Sequence, residues 1–517
     1  MPDKVKLDFP PKGNRTGVYV PLTLLAVCLA HFLLRLLLDS QLGYDDAEQA
    51  LYSQFQAWIY RYNQPPLYTW GLLPLVDILG HHALTFHLSR QLWIAAFFIS
   101  AWMLICHLFE DRERRLYALC SLALFFPFVW VIQINLTNTL TLLTFFILSW
   151  WAGFKLDSNS PRRPWLWIIL LGLFWAGAFL GKYTFAIYWI PQMIALVIAS
   201  PNKRGRLLLH LLLAAGLAIL LSLPHLIAAA QFSNITLQYS QLVVNEDLIG
   251  RASSFEILVL ILFGTAEVIF PAFIVSILLF SNKALWQGSK GKSPVRTAFC
   301  LFTLISLVLV VAVLLSLRGD QIRSHWLIPM LITLPFWIAF HLKVTPFSAQ
   351  RVRILKVITL TVCGLVALVF TVRELREAER SRSGHRAIDY SVFAQKVDAT
   401  YGDLNLGIIG HSTLAGNLSL YSQKKLITPR LEHLVDLNAQ DEVFFVWQID
   451  SPDSDLTYDP QLRPWIEELS LRPDWPTENE LLKIPLGRSE SSFRSFLSIR
   501  VKTEIWAEWL ESLPARF

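Results

Sequence analysis

Charge is what this sequence has least of. Of 517 residues only 16% are Asp, Glu, Lys or Arg, and 54% are hydrophobic. A soluble chain carries about a quarter charged residues. This deficit, the mean hydropathy of +0.45 and repeated apolar runs of about 18 or more residues exclude a soluble globular protein and predict a polytopic membrane protein. Cysteine is sparse too. All five (Cys28, Cys106, Cys120, Cys300 and Cys363) lie in apolar runs, so no disulfide framework is implied. There is no internal repeat and no low-complexity stretch. The net charge of +6 is modest and is not read as nucleic-acid binding, because in a membrane protein the distribution of charge matters more than its sum.

The apolar segments fall at 18–38, 86–108, 116–132, 139–154, 165–180, 184–200, 207–230, 255–280, 298–317, 325–341 and 354–372, about eleven spans by the twenty-residue rule. The first is read as a retained signal anchor. With the N-terminus inside, the inner loops outweigh the outer ones in Lys and Arg by roughly four to one. That bias predicts an outer position for the first loop, 39–86, and for the tail. The tail, 373–517, differs in kind. Charged residues become frequent, and short β-like runs occur at 404–409, 425–427, 442–449, 481–484 and 496–501, with a helical stretch at 465–471. This predicts a small α/β domain on the outer face, following a transmembrane domain over 1–372.

Ionisable groups at membrane depth are functional candidates by default. On the outer side these are Asp45, Asp46, Glu48, Arg61, Lys182, Glu267, Arg318, Asp320 and Arg323. They comprise acids in the first loop and scattered bases in later ones. Transfer from an anionic, phosphate-linked donor needs both: a carboxylate to take a proton from an acceptor hydroxyl, and cations to hold the departing phosphate.

Each candidate also has a plainer reading. Asp45 and Asp46 precede a helix-like run, 47–60, and Asp is a good helix cap. Pro65-Pro66 forces a turn behind Tyr60-Arg61-Tyr62-Asn63-Gln64, whose aromatics suit a membrane interface. Lys182, in the short turn Gly181-Lys182-Tyr183, can snorkel to headgroups. Arg323 suits phosphate through its paired donors, yet Asp320 nearby offers it a surface ion pair. Glu267 lies mid-span, either protonated or lining a donor cavity. His81-His82 has no metal-ligand spacing.

The first loop resembles the signature of polyprenol-phosphate-sugar-dependent glycosyltransferases of the GT-C fold, the group of the protein O-mannosyltransferases, the lipid A aminoarabinose transferase and the rhizobial galacturonosyltransferases. The residues carrying the resemblance are Asp45-Asp46-Ala47, Leu51-Tyr52-Ser53-Gln54, Gln64-Pro65-Pro66-Leu67 and Trp70. Gly181-Lys182-Tyr183 is similar to the family's G-K-Y-T turn, and Arg323, Trp326 and Pro329 to its R-x-x-W-x-x-P connector. The resemblance covers about residues 20–340.

It implies a GT-C bundle with interfacial helices in the first outer loop. It implies Asp45 as the acceptor-activating carboxylate, with Asp46 beside it where the family usually has Glu. Lys182, Arg323 and Arg61 would bind the donor phosphate. Glu48, Tyr62, Asn63, Gln64, Tyr183 and Glu267 would line the acceptor and donor cavity. Many members carry an acid or a cation before the Pro-Pro pair. This chain has Asn63-Gln64, so no metal and no cofactor is expected. The implied reaction is inverting transfer from a polyprenyl-phosphate sugar to an envelope glycolipid, glycan or protein, at the outer face of a bacterial inner membrane. The alternative class is a lipid or glycan transporter or flippase, which would show related halves and broken helices near the midplane.

Overall fold

The computed structural model describes residues 16–38, 41–60, 64–157, 163–231, 254–286, 293–317, 324–379, 388–428, 442–449, 480–486 and 489–502. A bundle of long apolar helices makes up the first three quarters of the chain. Helix α1 (Thr16–Leu38) leads into the first loop, which holds α2 (Tyr44–Tyr52) and α3 (Leu67–Leu79). There follow α4 (Ala83–Leu108), α5 (Arg112–Ala123), α6 (Phe126–Val129), α7 (Thr137–Asp157), α8 (Pro164–Gly181), α9 (Phe185–Ala199) and α10 (Arg204–Gln231). The bundle ends with α11 (Ser254–Phe280), α12 (Pro294–Leu317), the short α13 (Ile328–Leu331) and α14 (Leu334–Ala339), and α15 (Pro346–Glu379).

Among the described residues eight helices are long and apolar enough to cross a membrane, and a ninth span forms if the bent pair Arg112–Ala123 and Phe126–Gln133, which meet at 77°, is one crossing. Pro127 sits at the start of α6, where a missing N–H costs nothing, whereas in the middle of a straight helix it would break a hydrogen bond. The expected segments 184–200 and 325–341 form only shorter apolar helices, Phe185–Ala199 and Ile328–Ala339. Large apolar side chains such as Leu37, Leu262 and Val308 are exposed on the outside of the bundle. In a bilayer they meet acyl chains, which replace water as the solvent of the outer surface.

The tail forms a five-stranded sheet in the order β2-β1-β3-β5-β4. Its strands are β1 (Leu406–Ile409), β2 (Lys425–Ile427), β3 (Glu442–Ile449), β4 (Glu480–Leu486) and β5 (Ser489–Lys502). The first three are parallel, and β3, β5 and β4 run antiparallel. Helices α16 (Tyr390–Thr400) and α17 (Ser412–Leu418) complete it. Asp389 caps α16 by accepting from the amides of Ser391 and Val392 at 3.1 and 3.2 Å, which satisfies two donors the helix leaves unpaired. All five expected strands form. The expected helix at 465–471 lies outside the described residues.

The first loop and the tail share one core. Leu51, Tyr52 and Tyr60 are buried in the same cluster as Ile408, Phe444 and Phe496. Side-chain amides reinforce the seam by mimicking backbone. Gln54 donates to the carbonyl of Leu426 at 2.9 Å and accepts from its amide at 3.0 Å, covering one edge of β2. Asn417 accepts from the amide of Leu42 at 2.7 Å and donates to its carbonyl at 3.1 Å. Gly416 makes this fit possible: a Cβ there would lie 2.0 Å from the carbonyl oxygen of Ala47. The sequence predicts one helix over 47–60, and the structure corrects this. Helix α2 stops at Tyr52, where the side chains of Ser53 and Gln54 bond the carbonyls of Ala50 and Leu51 and the chain turns toward β2.

Candidate active site

The site is built on one short helix. Helix α2 begins at Tyr44, with Gly43 at its cap position, and both acids lie inside the first turn. Neither caps its own helix. Both reach outward, to different partners.

Asp46 points into the bundle and is 1% exposed. Arg90, on α4 and fully buried, grips both of its oxygens, with Nη2–Oδ1 at 2.6 Å and Nε–Oδ2 at 3.1 Å. The remaining donors of Arg90 reach the carbonyls of Ile132 and Asn135 at 3.0 and 2.8 Å. A fork-to-fork pair of this kind is strong and directional. It clamps α2, α4 and the 132–135 segment together and leaves Asp46 no oxygen free of the arginine. Sequence reasoning missed Arg90. The signal was a single arginine inside an otherwise apolar span, a residue that needs a partner in a bilayer.

Asp45 turns the other way. Its Oδ2 accepts from the amides of Leu136 and Thr137 at 2.6 and 3.3 Å, so it caps α7 across space. Leu136 has φ of 74°, the left-handed region that costs a non-glycine residue about 1–2 kcal/mol. The carboxylate helps hold that strained turn in place. Among the described residues no hydrogen bond reaches Oδ1. The loss of surrounding water, augmented by Glu48 and Asp46, pushes the Asp45 carboxyl above the usual carboxylate range, against the opposing pull of Arg90 and of the Leu136 amide. A base with a raised pKa holds a proton more firmly once it has taken it.

The start of α7 gathers the other polar groups. Glu48 accepts from Gln64 at 3.0 Å, and Gln64 accepts from Asn138 at 2.9 Å. Lys182 donates to Thr139 at 2.8 Å. Gly181 allows this approach, because a Cβ there would lie 2.8 Å from the amide of Leu142. With no side chain at that position, α8 lies directly against α7 and delivers Lys182 to its first turn. The helix end adds a partial positive charge. One carboxylate, one ammonium and a helix N-terminus thus converge.

Tyr183 joins this turn to the first loop. Its hydroxyl lies 2.8 Å from Nε2 of His225 on α10, and Nδ1 of His225 lies 2.7 Å from the carbonyl of Trp58. A carbonyl only accepts, so Nδ1 carries the proton and Nε2 takes the tyrosine's. His225 is a further residue that the sequence alone did not single out. Arg61, Tyr62, Asn63 and Arg323 lie outside the described residues. The connector resumes at Ser324, and the Tyr188 hydroxyl donates to the carbonyl of Trp326, fixing it beside the start of α9. Glu267 is exposed on α11, and no described contact brings it to the acids. His81 bonds the carbonyl of Ala50 at 2.9 Å, and burial lowers its pKa. No group of three or more His, Cys, Asp or Glu residues suited to a metal occurs among the described residues.

A family model described as dolichyl-phosphate-mannose-protein mannosyltransferase matches residues 63–227. The chain is 23% identical over 380 residues to the lipopolysaccharide core galacturonosyltransferase RgtA of Rhizobium johnstonii, covering 70% of this chain and 72% of the relative. It is 23% identical over 376 residues to RgtB of the same organism, covering 69% and 73%. The crystal structure of ArnT from Cupriavidus metallidurans bound to undecaprenyl phosphate superposes with a TM-score of 0.56 at 14% identity, covering 94% of this chain and 98% of that one. Its apo state gives the same TM-score at 12% identity. The fold is that of ArnT, a GT-C fold. Family model, relatives and structural neighbours together support the GT-C glycosyltransferase superfamily.

Proposed function

We propose that this GT-C membrane protein transfers a sugar from a polyprenyl-phosphate donor to a hydroxyl of an envelope glycolipid, with inversion at the anomeric carbon. The observation that carries the reading is the meeting of Asp45 and Lys182 at the first turn of α7, each held by its own hydrogen bond there. Asp45 takes the proton of the acceptor hydroxyl on Oδ1. The acceptor oxygen attacks the anomeric carbon from the face opposite the phosphate, and the carbon–oxygen bond to phosphate breaks with its electron pair. Lys182, the α7 N-terminus and, from the sequence, Arg61 and Arg323 hold the polyprenyl phosphate as it leaves.

Asp46 acts in this account as a positioning residue. Its pair with Arg90 fixes the direction of Asp45, one residue away. Glu48, with Gln64 and Asn138, sets the polar wall beside the base, and Tyr183 with His225 keeps the Lys182 turn against the loop. Tyr62, Asn63 and Glu267 stay assigned to the cavity from the sequence. The curated relatives favour a uronic acid as the sugar and a lipopolysaccharide core saccharide as the acceptor. The site would face the periplasm of a bacterial inner membrane, and the bias of Lys and Arg among the loops supports its outer position.

Mass spectrometry of the envelope glycolipids of cells with and without this chain tests the reading. The account expects one uronic acid to disappear from the core saccharide when the chain is removed and to return with the wild-type protein. An unchanged glycolipid profile overturns it.

A further inference from the structure

One cavity in the bundle is lined without Asp45. It is a shaft of about 350 Å³ between α1, α4, α5 and α15, within the ~300–1,000 Å³ range of ligand sites. Its walls are apolar, with Leu24, Ile94, Phe98, Leu119, Val129 and Val366 among them. The threonine hydroxyls that line it are satisfied by their own helices: Thr23 bonds the carbonyl of Tyr19 and Thr359 that of Leu355.

The two ends of the shaft differ. Toward the candidate site its lining ends at Gln91 and Gln133, and the carbonyl of Gln133 accepts from Arg35. At the other end stand three cations, Arg112, Arg115 and Lys356. Among the described residues no ion pair joins any of the three to a carboxylate, and the one side-chain hydrogen bond described for them runs from Arg115 Nε to the carbonyl of Phe109. The shaft therefore joins a mainly apolar interior to a mouth with three cations and no described ion pair to them, inside a bundle that spans the membrane.

We propose that this shaft binds a membrane lipid with an anionic phosphate headgroup, its chain between α1 and α15 and its phosphate against Arg112, Arg115 and Lys356. By the loop-charge argument this mouth opens to the inner leaflet, where anionic lipids attract basic residues. The proposal does not depend on the transfer chemistry. It does bear on it, because Gln133, which lines the shaft, lies next to Ile132 and two residues from Asn135, whose carbonyls hold Arg90.

The test uses the full chain purified in detergent and stripped of lipid. Native mass spectrometry titrates phosphatidylglycerol, undecaprenyl phosphate and, as a control without net charge, phosphatidylcholine. The expected result is one tightly retained phosphate-headed lipid, with phosphatidylcholine far weaker. Which of the two binds identifies the source. Combining Arg112→Gln, Arg115→Gln and Lys356→Gln should weaken it on the order of a hundredfold, at about fivefold per cation. Ala123→Trp, which fills the shaft and spares the cations, should abolish retention. Each variant is accepted only with a cooperative melting transition; if the triple variant fails to fold, the three single variants replace it. Equal binding of all three lipids overturns the proposal, as does wild-type affinity in the folded variants. So does a lipid released by Lys182→Ala and kept by the triple variant, because that lipid sits at the candidate active site and not in the shaft.

Discussion

The two sides of α2 are built for opposite purposes. Toward the tail, Gly416 lies against the backbone of Ala47 and paired amides close the seam. Toward the inside, Asp46 and Arg90 saturate each other. Nothing on these sides has spare capacity. Toward α7 the same helix presents Asp45, with one oxygen holding a strained turn and the other without a described partner. The difference teaches that the closed sides serve the open one. A nine-residue helix would not fix a base by itself, because so short a helix is marginal alone.

Breaking the closed sides should do the most damage. Asp46→Asn or Arg90→Leu leaves one charge buried without its partner, at a cost of about 3–5 kcal/mol. Thermal melting should show a large loss of folded protein in each, and the double variant should recover part of it. A melting temperature within a degree or two of wild type in both single variants would end the clamp argument. Lys182→Ala should lower kcat/KM about tenfold to a hundredfold, the scale of a charge-assisted hydrogen bond, with little change in melting. Gly416→Ala forces a side chain against Ala47 and should cost about 1–3 kcal/mol. It should also loosen the tail, read as faster proteolysis within residues 388–428.

The smallest effect is the most specific one. If Asp45 must be ionised to act, activity falls as pH drops through its pKa. Burial raises that pKa, so the acid limb should lie above the ordinary aspartate value of about 3.9. The same shift makes the native state bind the proton more tightly than the unfolded chain. Stability attributable to Asp45 is therefore full below the ordinary value and declines as pH rises through the raised one. An acid limb at or below the ordinary value would contradict the assignment.

Much of this was legible in the residues. Apolar run length gives the bundle, short β-like runs in the tail give all five strands, and the polar island between α1 and α4 gives the site. Contacts distant in sequence were not legible. Asp45 and Asp46 look equivalent in sequence, and helix capping is a fair account of both. Only packing reveals that one caps a helix some ninety residues later while the other meets Arg90. His225 reads as one more polar residue in an apolar run until α10 is set against Tyr183. The count of eleven spans is not confirmed, because hydropathy reports composition and cannot tell a full crossing from helices as short as Phe185–Ala199 or α13 with α14.

The most direct test is sugar transfer by Asp45→Asn. Asparagine keeps an oxygen to accept from Leu136 and Thr137 and is as good a helix cap as aspartate, so the strained turn and the fold should survive. It cannot take a proton. With purified protein, a polyprenyl-phosphate sugar and a core-saccharide acceptor, the account predicts a loss of at least about a hundredfold in kcat, the scale of general-base catalysis, with an unchanged melting temperature. Near-wild-type turnover in a folded Asp45→Asn protein would show that the open side of α2 does not carry the base.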